Sequence, residues 1–80
     1  MRTGGAGVGG DVEIVGTSGW ARFKARGVII EIDPHYTHPV KVKINGERLK
    51  NGEWIMFADE DMDDNYLCRF KWGELRLIAS

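Results

Sequence analysis

Gly10-Asp11-Val12-Glu13-Ile14, then Gly16, Gly19 and Gly27, then Val28-Ile29-Ile30-Glu31-Ile32: this stretch decides the fold. A Gly-Asp start opens an alternating strand, with Val12 and Ile14 on one face and Glu13 on the other. The Gly16-Thr17-Ser18-Gly19 cluster is a loop signal. A long second strand is predicted over residues 21–33. Its first half alternates Ala21, Phe23 and Ala25 against Arg22, Lys24 and Arg26. After Gly27 the apolar phase becomes Val28, Ile30 and Ile32. One extra residue flips the faces of a strand, so a bulge or sharp bend is predicted at Gly27. Small barrels need such bends to close.

Working outward, Asp33-Pro34-His35-Tyr36-Thr37-His38-Pro39 is a loop bracketed by prolines. Val40-Lys41-Val42-Lys43-Ile44 alternates cleanly and is a strand. Asn45-Gly46 and Asn51-Gly52 are both hairpin-turn signals, because Asn and Gly tolerate positive φ. Residues 47–50 between them form a stub. Further strands are expected at 54–58, 66–70 and 75–78, with a short 3₁₀ turn at 71–74. No amphipathic helix of useful length appears. The fold class is therefore all-β: a small barrel of five or six short antiparallel strands, with at most a 3₁₀ turn and no long helix.

A chain of 80 residues is one domain with a small core. Residues 1–10 are Gly-rich with little to pack and read as a disordered tail; residues 11–80 form the domain. The tail holds Gly5, Gly7 and Gly10 in G-x-G-x-x-G spacing, but the dinucleotide fingerprint needs a strand before it and a helix after it. Neither is present. The single cysteine, Cys68, permits no internal disulfide. A reducing cytoplasm is the expected location. No secretory signal or membrane-spanning run is found.

The glycines and strands carry a family likeness. Gly10-Asp11-Val12 with Ile14, loop glycine Gly19, and Gly27-Val28 leading into Ile30-Glu31-Ile32 resemble the KOW motif of SH3-like barrels, found in transcription elongation factors and ribosomal proteins. The ending Trp72-Gly73-Glu74-Leu75-Arg76-Leu77-Ile78 is similar to the short turn and closing strand of many SH3-like barrels. The resemblance implies a binding module for RNA or protein. Plasmid-type dihydrofolate reductases are also SH3-like, but their Val-Gln-Ile-Tyr strand is replaced here by Trp54-Ile55-Met56-Phe57, which has no polar group for a pterin.

The net charge of −1 gives no global drive toward nucleic acid. Its distribution is uneven: residues 1–50 carry +3 and residues 51–80 carry −4. Asp59, Glu60, Asp61, Asp63 and Asp64 form an acidic loop. It lacks the glycine and the terminal bidentate glutamate of an EF-hand loop. Like charges repel, and a basic partner relieves that repulsion, so this loop is the candidate for protein recognition.

Arg22, Lys24 and Arg26 fall on one face of the predicted second strand, and Lys41 and Lys43 on the outer face of the third. As sheet neighbours these strands would gather five cations on one surface. Such a surface suits phosphates, and Trp20 and Tyr36 at loop edges suit base stacking. His35 and His38 supply two of the three or four ligands zinc needs, so no metal site is assigned. Cys68 alternates with core aromatics and reads as a small apolar residue.

No catalytic residue and no cofactor are assigned. The leading expectation is a non-enzymatic interaction module, a small regulatory or accessory protein of phage or bacterial type with a protein partner. The second is RNA or single-strand binding through the basic face. The third is an enzyme whose site is built at the interfaces of a homo-oligomer; a monomer or small homo-oligomer is expected in any case.

Overall fold

The computed structural model describes residues 7–58, 60 and 64–78. They form an all-β domain of six short antiparallel strands. These are β1 (Asp11–Ile14), β2 (Ala25–Ile32), β3 (Val40–Arg48), β4 (Trp54–Met56), β5 (Leu67–Phe70) and β6 (Leu75–Leu77). One sheet runs in the order β4-β3-β2-β1-β6, and β5 also pairs with β3. The long β3 thus shares one edge between two partners: Val40–Lys43 bond β5 and Gly46–Arg48 bond β4. Among the described residues nothing pairs β6 with β4 or β5, so the sheet is open and the expected closed barrel does not form.

The core lies on one face of this bent sheet. Val12 and Ile14 of β1, Ala25 and Ile29 of β2, Val40, Val42 and Ile44 of β3, and Phe70 of β5 are buried together. Period-two alternation explains the set. In β3 the buried Val40, Val42 and Ile44 alternate with the half-buried Lys41 and Lys43. Each fully buried aliphatic side chain contributes about 1.5–3 kcal/mol through removal from water.

The second strand departs from its sequence reading in two ways. Residues 19–22 are not strand but a single helical turn, α1 (Gly19–Arg22), started by Ser18, whose side chain accepts from Ala21 N at 3.3 Å. Lys24 then adopts φ 51°, which turns the chain into β2. The face of β2 also flips later than expected. Ala25, Gly27 and Ile29 all point inward, and Ile30 is exposed. The pairing passes from Ile29↔Val42 to Glu31↔Lys41 and skips Ile30, which is the bulged residue.

A second irregularity lies beside Gly27, but its extra residue belongs to β3. Arg26 pairs with Gly46 and Gly27 with Ile44, leaving Asn45 as the bulge. Asn45-Gly46 is therefore mid-strand and not a hairpin turn. The Asn45 carbonyl accepts from Phe57 N at 2.8 Å, so the bulge hands β3 from one neighbour to the next. Asn51-Gly52 does form the β3–β4 turn, with Gly52 at φ 92° and Leu49 N bonded to Glu53 O at 2.8 Å.

Short 3₁₀ turns precede β5 (Asp64–Tyr66) and β6 (Trp72–Glu74). The second is closed by Glu74 Oε1, which accepts from Lys71 N at 2.9 Å. The Gly-rich segment joins the sheet at its end: Gly9 N donates to Ile29 O and Ile29 N to Gly10 O, at 2.8 and 3.0 Å. Among the described residues no helix is long and apolar enough to cross a membrane.

Candidate binding groove

Two segments distant in sequence meet beside α1. Arg48 N donates to Lys24 O at 3.1 Å, which sets residues 22–24 alongside residues 47–50. The groove between them, about 310 Å³, is lined by Arg22, Phe23, Lys24, Glu47, Arg48, Leu49 and Lys50. Four cations face one carboxylate. Phe23 caps the helical turn and leaves 60% of its surface in solvent. Leu49 is also exposed. Among the described residues no hydrogen bond or ion pair engages the side chains of Arg22, Lys24 or Lys50.

A second, more polar cavity of about 270 Å³ adjoins the groove and shares Lys24 and Arg48 with it. Glu13 forms its floor. Although Glu13 points away from the apolar core, it is only 5% exposed. Arg48 Nη2 donates to its Oε2 at 3.1 Å, and Arg76 Nη2 donates to its Oε1. Strand register explains the meeting: Glu13 stands opposite Arg76 on β6 and opposite Arg26 on β2. Arg26 also approaches Asp11, at 3.7 Å, and lies over the Trp54 ring at 4.8 Å from its centroid. Arg48 approaches the same ring at 5.6 Å. The outer face near β4 is thus an arginine-rich layer around the carboxylates of Glu13 and Asp11 and the Trp54 indole.

The sequence-derived basic residues divide in this geometry. Arg26, Lys41 and Lys43 lie on the outer faces of β2 and β3, which are neighbours. Lys41 stands beside Glu31 of β2 and Arg69 of β5; Lys43 stands beside Val28 and Leu67. Arg22 and Lys24 precede β2 and belong to the groove instead. Lys41 is five residues along β3 from Gly46, on the order of 17 Å at the rise of an extended strand.

Trp20 is half-buried against the core. Its Nε1 donates to Cys68 Sγ at 3.1 Å, and its ring lies 5.7 Å from that of Tyr66. Tyr36 is exposed, with the Arg69 guanidinium 3.8 Å from its ring centroid. Arg69 also donates through Nε to His38 O and through Nη2 to Pro39 O, at 3.0 and 3.2 Å. One arginine therefore pins the proline-bracketed loop. His35 Nδ1 lies 3.1 Å from Asp33 Oδ1 on the same loop. Among the described residues no three His, Cys, Asp or Glu side chains gather as a metal site.

In the acidic loop, Glu60 and Asp64 are exposed, while Asp59, Asp61 and Asp63 lie outside the described residues. Sequence reasoning missed Phe23, Arg48, Lys50 and Arg76 as site residues. Their signal was present in part: Arg48 and Lys50 flank the Asn51-Gly52 turn as a cationic pair. Phe23, however, was assigned inward by alternation, which the helical turn interrupts. Comparison with family models, with curated proteins and with solved structures finds no match to this chain.

Proposed function

We propose that this domain is a binding module for single-stranded nucleic acid, with the groove beside α1 as its contact surface. The observation that carries the reading is an exposed aromatic, Phe23, set among Arg22, Lys24, Arg48 and Lys50 with Glu47 as the lone acid. Cations track a phosphate backbone, and an exposed ring stacks on any base. A ring costs free energy to leave in water, and Phe23 is the most exposed aromatic among the described residues, ahead of Tyr36 and Trp72. Recognition through backbone charge and stacking is tolerant of sequence.

The strand path supports an open SH3-like architecture as the frame for this surface. β1 lies between β2 and β6, β3 follows β2, and a 3₁₀ turn precedes the last strand. The likeness of residues 10–33 to a KOW motif is in keeping with nucleic acid as ligand.

Fluorescence anisotropy with labelled single-stranded DNA and RNA tests the reading. Phe23→Ala is expected to weaken binding by about 1–3 kcal/mol, the worth of one stacked base, with the melting temperature unchanged. Arg22→Gln with Lys50→Gln is expected to lower the salt dependence. Absence of any binding at low salt across a panel of oligonucleotides overturns it.

A further inference from the structure

We infer that the cavity floored by Glu13 seats a phosphate group, gripped by Arg48 and Arg76 together, with Lys24 at its rim. This deepens the groove reading and rests on it for the source of the phosphate: a strand stacked on Phe23 delivers its neighbouring phosphate here. The two spaces share Lys24 and Arg48 in their linings.

Charge is the first argument. Lys24, Arg48 and Arg76 line the cavity against the single carboxylate of Glu13. The excess is two positive charges in a small concave space, more than enough to offset the single negative charge of a strand phosphodiester. Donor count is the second. Each guanidinium carries five N–H donors, and Glu13 takes one Nη2 contact from each. The side chain of Arg76 is 60% exposed and that of Arg48 31%, and both residues line the cavity, so neither guanidinium is sealed off from an incoming ligand.

Pre-organisation is the third. Glu13 is 94% buried in its side chain and holds one arginine on each oxygen. Both guanidiniums are therefore tethered to one carboxylate before any ligand arrives, which reduces the ordering cost of binding. Arg48 reaches Glu13 from the β2–β3 side of β1 and Arg76 from the β6 side, so the two flank the carboxylate.

Two measurements decide this. In the first, inorganic pyrophosphate is titrated into the unaltered protein and followed by the arginine Nε–H resonances in nitrogen-15 spectra. The Arg48 and Arg76 signals are expected to move together and saturably, while Arg69, engaged with His38 and Pro39 at the other end of β3, stays still. No movement, or equal movement of all three, overturns the seat. In the second, single-stranded oligonucleotide binding is measured against salt for Arg76→Gln. The slope of log affinity against log salt is expected to fall by about 0.7, one phosphate's share on a single strand. Full binding with an unchanged slope overturns the seat and leaves the groove reading intact. If no oligonucleotide binds the unaltered protein, the groove reading fails, and the pyrophosphate titration alone still decides whether the cavity holds phosphate.

Discussion

Glu13 and Arg48 meet across a separation of 35 residues, with Nη2 3.1 Å from Oε2. The contact ties the first strand of the sheet to the end of the longest one. Arg76 completes the arrangement from the last strand. Arg48→Met keeps most of the stem and removes the charge. It is expected to cost about 1.5–3 kcal/mol, the worth of a hydrogen bond to a charged partner. A domain of this size has roughly 4–12 kcal/mol in total. Urea unfolding checks the value; a loss under ~0.5 kcal/mol shows that Arg76 alone satisfies Glu13.

Gly27 is needed for a close approach and not for an unusual φ. A Cβ there would collide with the Lys43 carbonyl oxygen and stand 2.5 Å from Val42 Cγ1. Gly27→Val is expected to destabilise by at least ~3 kcal/mol, the upper range for overpacking. Gly19→Ala is the contrast, because a Cβ there meets nothing within 4 Å. It is expected to be neutral or to stabilise by up to ~1 kcal/mol by restricting the unfolded chain. Thermal melts of the two variants should move in opposite directions or differ by well over ten degrees, at ~4–8 °C per kcal/mol.

The bulge at Ile30 makes adjacent isoleucines unequal. Ile29 is fully buried and Ile30 is 39% exposed. Ile29→Ala is expected to cost about 2–5 kcal/mol. Ile30→Ala should cost well under half of that, since much of its side chain already meets water. The reverse order in denaturant midpoints would move the bulge back to Gly27.

Arg69 organises the loop between β2 and β3 through two backbone carbonyls, an approach to Glu31 at 3.6 Å and the face of Tyr36. Arg69→Ala removes all of these at once. The expected result is a loss of about 1–3 kcal/mol together with faster amide exchange at Asp33, whose N–H is bonded to Pro39 O at 2.9 Å. Arg69→Lys should restore the charge but not the fork, and so rescue stability only in part. Unchanged exchange at Asp33 in Arg69→Ala would show that the loop holds itself.

Much of this domain is legible in the chain because strand burial is a local property. Val12 and Ile14, and Val40, Val42 and Ile44, were assigned inward from period-two alternation and are all buried. The Asn51-Gly52 turn and the 3₁₀ turn before β6 follow from residues within four positions of one another. Tertiary pairing decided the rest. Asn45-Gly46 carries the same turn signal as Asn51-Gly52, yet it continues a strand because Phe57 and Ile55 come alongside to pair with it. Whether Ile29 or Ile30 faces inward depends on where β3 skips a partner, which no local pattern encodes. The groove owes its existence to the bond between Arg48 N and Lys24 O, and the burial of Glu13 to arginines 35 and 63 positions away. Alternation sets which residues can be buried; the register between distant strands sets which cations share a surface.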